Sequence, residues 1–119
     1  MDDRRELGNL GEGMALDFLT ELGYQILERQ WRCVFGEVDL ICLDPASGEV
    51  VFVEVKTRQS LESGYPEDAV TPKKRKSLEA VGEWFLRQSA WEAKPYRFDV
   101  VAIILNDFAK PEITHLQGI

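Results

Sequence analysis

The sequence predicts one α/β domain, residues 1–119, with a mixed β-sheet of about five strands flanked by helices in the order α-β-β-β-α-β-β. Three observations lead there. Apolar residues recur at helical spacing in two separate segments, Leu7 to Leu22 and Leu78 to Leu86. The runs VDLICL, VVFVEV and DVVAIIL are too continuously apolar for strands wetted on one face, so the sheet must be covered on both. The chain has no internal repeat or linker-like stretch, and 119 residues suffice for a real core.

The elements follow in order. Leu7, Leu10, Met14, Phe18 and Leu22 recur at intervals of three and four, an apolar helical stripe closed by Gly23. Residues 24–27, TyrGlnIleLeu, read as a short strand. Two strands at 38–43 and 50–57 enclose the turn-rich DPASGE, a β-hairpin pattern. Residues 59–70, with Gly64 and Pro66, read as a loop. Thr71 and Pro72 supply an N-cap and a first-turn proline, and Leu78, Val81, Phe85 and Leu86 form the apolar face of the second helix. RFDVVAIIL, 97–105, is a buried strand, and 113–116 a last short one.

Composition narrows the class. Fourteen Lys and Arg against twenty-one Asp and Glu leave a net charge of -7, and the mean hydropathy of -0.23 is ordinary for a soluble domain. No apolar run reaches membrane-spanning length, and MDDRRELGNL lacks the apolar core of a signal peptide, so a cytoplasmic location without membrane contact is expected. The acidic balance argues against a general nucleic-acid binder, whose usual footprint is basic. Any such contact must be local. Cys33 and Cys42 make no disulfide framework and cannot complete an ordinary zinc site with the single His115; they read as small buried thiols.

The hairpin carries the chemistry. Asp39 and Glu54 sit inside otherwise apolar runs, with Lys56 just beyond. If Asp44 to Glu49 close the loop symmetrically, Leu43 faces Val50, Ile41 faces Phe52, Asp39 faces Glu54 and Lys56 lies opposite Glu37. Directly opposed side chains have Cβ atoms about 5 Å apart, where like charges repel. Two carboxylates at that spacing need a proton, a lysine or a cation. A hard divalent ion answers the need, since Mg²⁺ takes oxygen ligands and is often held by one or two carboxylates. A solvated cluster of Glu37, Asp39, Glu54 and Lys56 is the competing account, and spacing does not choose between them.

The arrangement D-x(14)-E-V-K, preceded by a helix containing an acid, resembles the core of the PD-(D/E)xK nuclease superfamily. More closely, LGNLGEGMALDFL, the W-R-C-x(2)-G-E-V-D-L-I run, V-F-V-E-V-K-T-R, A-V-T-P-K-K and R-F-D-V-V-A-I together resemble the YraN family of small bacterial proteins, related in fold to archaeal Holliday-junction resolvases. The resemblance spans about residues 6 to 116 and implies a restriction-endonuclease-like, resolvase-like fold. It implies Asp39 and Glu54 as metal-binding carboxylates, Lys56 as the catalytic lysine, and Glu12 on the first helix as an additional acid brought toward the metal. Mg²⁺ or Mn²⁺ is the implied cofactor, and DNA, with branched forms included, the implied partner. Resolvase relatives act as dimers on a two-fold junction, which implies a homodimer. The first acid stands in E-V-D, without the proline of the superfamily's name.

TPKKRK, 71–76, opens a helix with four cations, where the macrodipole disfavours them by about 0.3–1 kcal/mol each. A polyanion docking there would offset the repulsion. Thr71, Lys73, Lys74, Arg75 and Lys76, with Arg58 at the end of the V-E-V-K-T-R run, are therefore the expected nucleic-acid contacts. A merely solvated charge run is the alternative. Trp31 with Arg29 and Arg32 could stack on or contact nucleic acid, or Trp31 could pack; Trp84 and Trp91 read as packing residues. Arg97 and Asp99 have no derivable role.

Three functions compete. They are a metal-dependent endonuclease, a non-catalytic DNA-binding or DNA-processing accessory protein keeping the nuclease fold, and a protein-interaction module favoured by the acidic charge. Paired carboxylates with a lysine oppose the second, and the basic helix start opposes the third.

Overall fold

A computed structural model describes residues 3–59, 68, 70–105 and 110–119. Its elements are α1 (Asp3–Glu21), β1 (Gln25–Cys33), β2 (Gly36–Leu43), β3 (Val50–Arg58), α2 (Pro72–Gln88), β4 (Tyr96–Ile104) and β5 (Glu112–Leu116). The strands form a five-stranded sheet in the order β1-β2-β3-β4-β5. Only β3 and β4 run parallel, joined through α2; the other neighbours are antiparallel. The expected element order and mixed sheet are the observed ones. Of the loop read at 59–70, residues 60–67 and 69 lie outside the described residues.

Strand alternation sorts the core into two layers. Ala15 and Leu19 of α1 pack on Leu40, Cys42, Val51, Val53, Val101 and Ile103. Leu78, Val81, Phe85 and Leu86 of α2 pack on the other face against Val38, Ile41, Val50, Phe52 and Phe98. Burying each such side chain contributes about 1.5–3 kcal/mol. The apolar face read for α2 is the observed one. Thr71 caps it through Oγ1, which accepts the Lys74 N–H at 3.1 Å, with Pro72 at the helix start. Gly82 lets α2 approach: a Cβ there would lie 3.2 Å from a Phe52 ring carbon.

Two sequence readings need correction. The stripe Leu7, Leu10, Met14, Phe18, Leu22 is only in part the packed face of α1, with Met14 and Phe18 lying against the core. Leu10 and Leu22 are 56% and 52% exposed, while Gly11, Glu12, Ala15 and Leu19 are buried. Close approach decides the orientation. A Cβ on Gly11 would fall 1.7 Å from Thr57 Oγ1, so the helix sits on β3 through its smallest residue. Hydrophobic periodicity cannot register that. Gly23 does close the helix, at φ +91, with Gly23 N–H donating to Thr20 O and Tyr24 N–H to Leu19 O. The strand read at 24–27 extends to Cys33, because β1 is an edge strand whose polar residues need little burial.

Arg97 and Asp99 acquire a role as the centre of a polar network. Arg97 bonds Asp44 (2.6 Å), Glu49 (2.9 Å), Asp99 (3.0 Å) and the Tyr24 hydroxyl (2.9 Å). Asp99 also meets His115 Nε2 at 2.8 Å and accepts the Gly118 N–H at 3.0 Å. Burial opposes the charged form of Asp99, but the bonds from His115, Arg97 and Gly118 outweigh it and hold its pKa below the ordinary value. Cys42 is fully buried, its thiol pushed up to about 12 chiefly by burial, as expected of an inert core cysteine.

The fit of α1 makes a paired prediction. Gly8→Ala, with nothing near its Cβ, should raise stability by about 0.5–1 kcal/mol. Gly11→Ala should lower it by about 1–3 kcal/mol through overpacking against Thr57. Urea midpoints of the two variants are the measurement; equal shifts would refute the close approach.

Candidate functional site

Strict alternation along β2 would put Val38 and Leu40 on one face. They are on opposite faces, Val38 against α2 and Leu40 against α1, so the strand breaks phase at Asp39. The neighbouring strand is irregular at the matching place: Gln30, between the pairs Arg29–Leu40 and Trp31–Val38, has φ +47. The β2–β3 ladder has the register expected from symmetric loop closure, from Leu43–Val50 to Leu40–Val53, and stops there. At the next position the Asp39 carboxylate replaces a backbone acceptor, Oδ2 taking the Val55 N–H at 2.8 Å. Glu37 does not meet Lys56; it pairs with Arg32 at 3.2 Å.

Three acids converge on this irregularity. Glu54, only 5% exposed, follows Phe52 on the α2 side of β3. Glu12, 8% exposed, comes from α1, and its Oε2 accepts a bond from Gln30 Nε2 at 3.1 Å. Asp39 is half-buried, its carboxyl pushed up to about 7 by burial first, then by the Glu54 charge, with Glu12 adding to the rise. The Val55 N–H and the Lys74 charge work the other way. Two lysines meet Glu54 Oε1: Lys74 Nζ at 3.3 Å and Lys56 Nζ at 3.8 Å. No three His, Cys, Asp or Glu side chains among the described residues stand close enough to form a ready metal-holding group. What stands there is a repelling acid pair with a third acid whose charge reaches it.

The expected nucleic-acid contacts divide. Lys73 and Lys76 are exposed and in no ion pair among the described residues. Arg75 meets Glu79 at 3.6 Å and donates to the Ile119 carbonyl, and the Thr71 oxygen is taken by the cap. Lys74 turns inward to Glu54. Arg58 is half-buried at the end of β3, two residues past Lys56. Trp31 packs edge-on against Phe85, and Trp91 lies against the same cluster. Trp84 is no packing residue of the core; it lies on the outer side of α2, edge-on to Phe35. Sequence reasoning missed Gln30, for which no signal existed, and Lys74 as a partner of Glu54.

The pair predicts a pH dependence. A carboxyl that titrates near 7 in the fold and near 3.9 unfolded binds more protons when folded between those values, so stability should fall as pH rises from about 4 to about 7. In EDTA the loss should be about 2–4 kcal/mol, and Asp39→Asn should flatten it. Urea unfolding at pH 5 and pH 8 measures both; an unchanged slope in the variant would place the titration elsewhere.

Comparison with known proteins agrees on one family. A family model described as "Uncharacterised protein family UPF0102" matches residues 11–103. A "UPF0102 protein" of Caldicellulosiruptor saccharolyticus is 47% identical over 104 residues, covering 87% of this chain and 86% of that one. One from a Mycobacterium species is 46% identical over 118 residues, covering 98% and 86%. One from Geotalea daltonii is 42% identical over 116 residues, covering 98% and 90%. With its motifs carried on these elements, the chain belongs to the UPF0102 family, the YraN family.

Proposed function

We propose that the chain is a divalent-metal-dependent endonuclease that hydrolyses DNA phosphodiester bonds, with branched DNA among its substrates. The observation that carries this reading is the burial of Asp39 against Glu54 while two lysines approach the same Glu54 oxygen. A solvated salt-bridge cluster would leave its carboxyls in the ordinary range, whereas burial and the Glu54 charge push Asp39 up to about 7. The donor set suits a hard cation by its chemistry, carboxylate oxygens from Asp39 and Glu54, with the remaining positions left to water and substrate, as Mg²⁺ prefers. Asp39 and Glu54 would hold Mg²⁺ or Mn²⁺, with Glu12 nearby, and the ion would supply an activated water and neutralise charge on the phosphate.

The chain's own residues supply the rest. Asp39 would have to give up its proton to hold the ion, which would couple binding to pH. Lys56, beside Glu54 at 3.8 Å, would stabilise charge developing on the phosphate. Lys74, which now meets Glu54, would be available as a second phosphate contact beside the exposed Lys73 and Lys76 were that carboxylate to hold the ion. The chain's net charge of -7 is no obstacle, since these cations are concentrated at one helix start.

Asp39→Ala and Lys56→Ala should each cut divalent-dependent cleavage by on the order of a hundredfold or more. Only Asp39→Ala should also weaken metal binding in calorimetry, whereas Lys74→Ala should strengthen it by removing a competing cation. Replacing Lys73 and Lys76 by Ala should weaken DNA binding and flatten its salt dependence. The test uses linear, single-stranded, flapped and four-way DNA with Mg²⁺ or Mn²⁺. If wild type cuts none, and binds DNA no better than Asp39→Ala does, the accessory-protein reading replaces this one.

A further inference from the structure

The turn between β1 and β2 is two residues long, closed by the Cys33–Gly36 pair, and both residues are apolar. Such turns ordinarily take Gly, Asn, Asp or Ser. Val34 is 85% exposed and Phe35 50%, and the Phe35 ring stands edge-on to Trp84 at 5.9 Å. Isolated exposed apolar residues are commonplace, but three in one patch are not.

The patch is firmly held. Ser77 Oγ donates to the Phe35 carbonyl at 3.0 Å, and Gly36, at φ +142, leaves room for it: a Cβ there would lie 2.8 Å from that oxygen. Ser77 and Lys74 belong to the same opening turns of α2, one fastening the turn and the other reaching Glu54. The wedge-shaped turn and the carboxylates therefore flank one helix start. Lys73, Ser77, Ala80 and Trp84 recur at four, three and four residues, a stripe with no acid. On the strand side stands the exposed Arg32, paired with Glu37.

We propose that Val34, Phe35 and Trp84 form a wedge that inserts against unstacked bases, directing the site to distorted DNA; this rests on the nuclease reading above. Apolar side chains between base steps and aromatic rings under splayed bases are general devices for holding opened nucleic acid. The flanking cations select this occupant.

The test is binding in EDTA, where no cleavage occurs, of four-way and flapped DNA carrying 2-aminopurine at the branch, against a matched linear duplex. Wild type should favour the branched forms by about tenfold or more and brighten the probe. Val34→Ser/Phe35→Ala should lose the preference and the brightening while keeping linear-duplex affinity and salt slope. Phe35→Trp, which keeps an aromatic ring there, should keep the preference. Val34→Ser alone, at a position too exposed to disturb folding, should lose part of the preference. A folded double variant with unchanged preference overturns the wedge, as does sedimentation showing a wild-type dimer that this variant dissociates. Absent cleavage with the preference lost in the variant would overturn the nuclease reading alone; normal cleavage with the preference intact would overturn the wedge alone.

Discussion

The bond from Val55 N–H to the Asp39 carboxylate governs the site. A side chain there substitutes for a main-chain acceptor, so the sheet spends a ladder position to hold an acid in its interior. Three consequences follow from that one exchange. β2 changes phase, giving α2 the Val38 side chain and α1 the Leu40 side chain. The acid is fixed in direction, which a long exposed side chain would not be. And it is fixed beside Glu54, where desolvation and like charge act together on its proton. The phase break and the charge strain are therefore the same feature seen in geometry and in electrostatics.

Much of this was legible in the chain. The hairpin register followed from the lengths of two apolar runs and the turn between them, and α2 from its cap, proline and apolar spacing. The orientation of α1 was not legible, because Gly11 against Thr57 is a steric fact about two residues forty-six apart. β1 was under-read because an edge strand carries polar residues without penalty. Arg97 and Asp99 stayed silent for another reason: their partners Tyr24, Asp44, Glu49 and His115 come from three other segments and share no local pattern. Gln30 was invisible because a left-handed glutamine has no sequence signature.

The charge distribution resolves an apparent conflict. An acidic chain has a cationic helix start because its acids are committed elsewhere, three of them to Arg97. Lys74 is the link between the two regimes, half-buried on Glu54 yet one residue from the exposed Lys73. The unfavourable placement of cations at a helix N-terminus is eased by that carboxylate, which lies where a first-turn acid would otherwise be wanted.

The Arg97 network has a consequence for how the molecule comes apart. It joins the start of β1, the hairpin loop, β4 and β5, across separations of 53 and 73 residues for Asp44 and Tyr24. Closing such loops costs entropy before any of the ion pairs can form. The cluster is thus a latch that can close only once β4 lies beside β3 and the hairpin loop. Contacts of that kind lengthen the lifetime of the folded state while leaving the speed of folding almost untouched. A chain of modest size with its buried acids held in repulsion keeps its shape, on this account, by being slow to open at the far end.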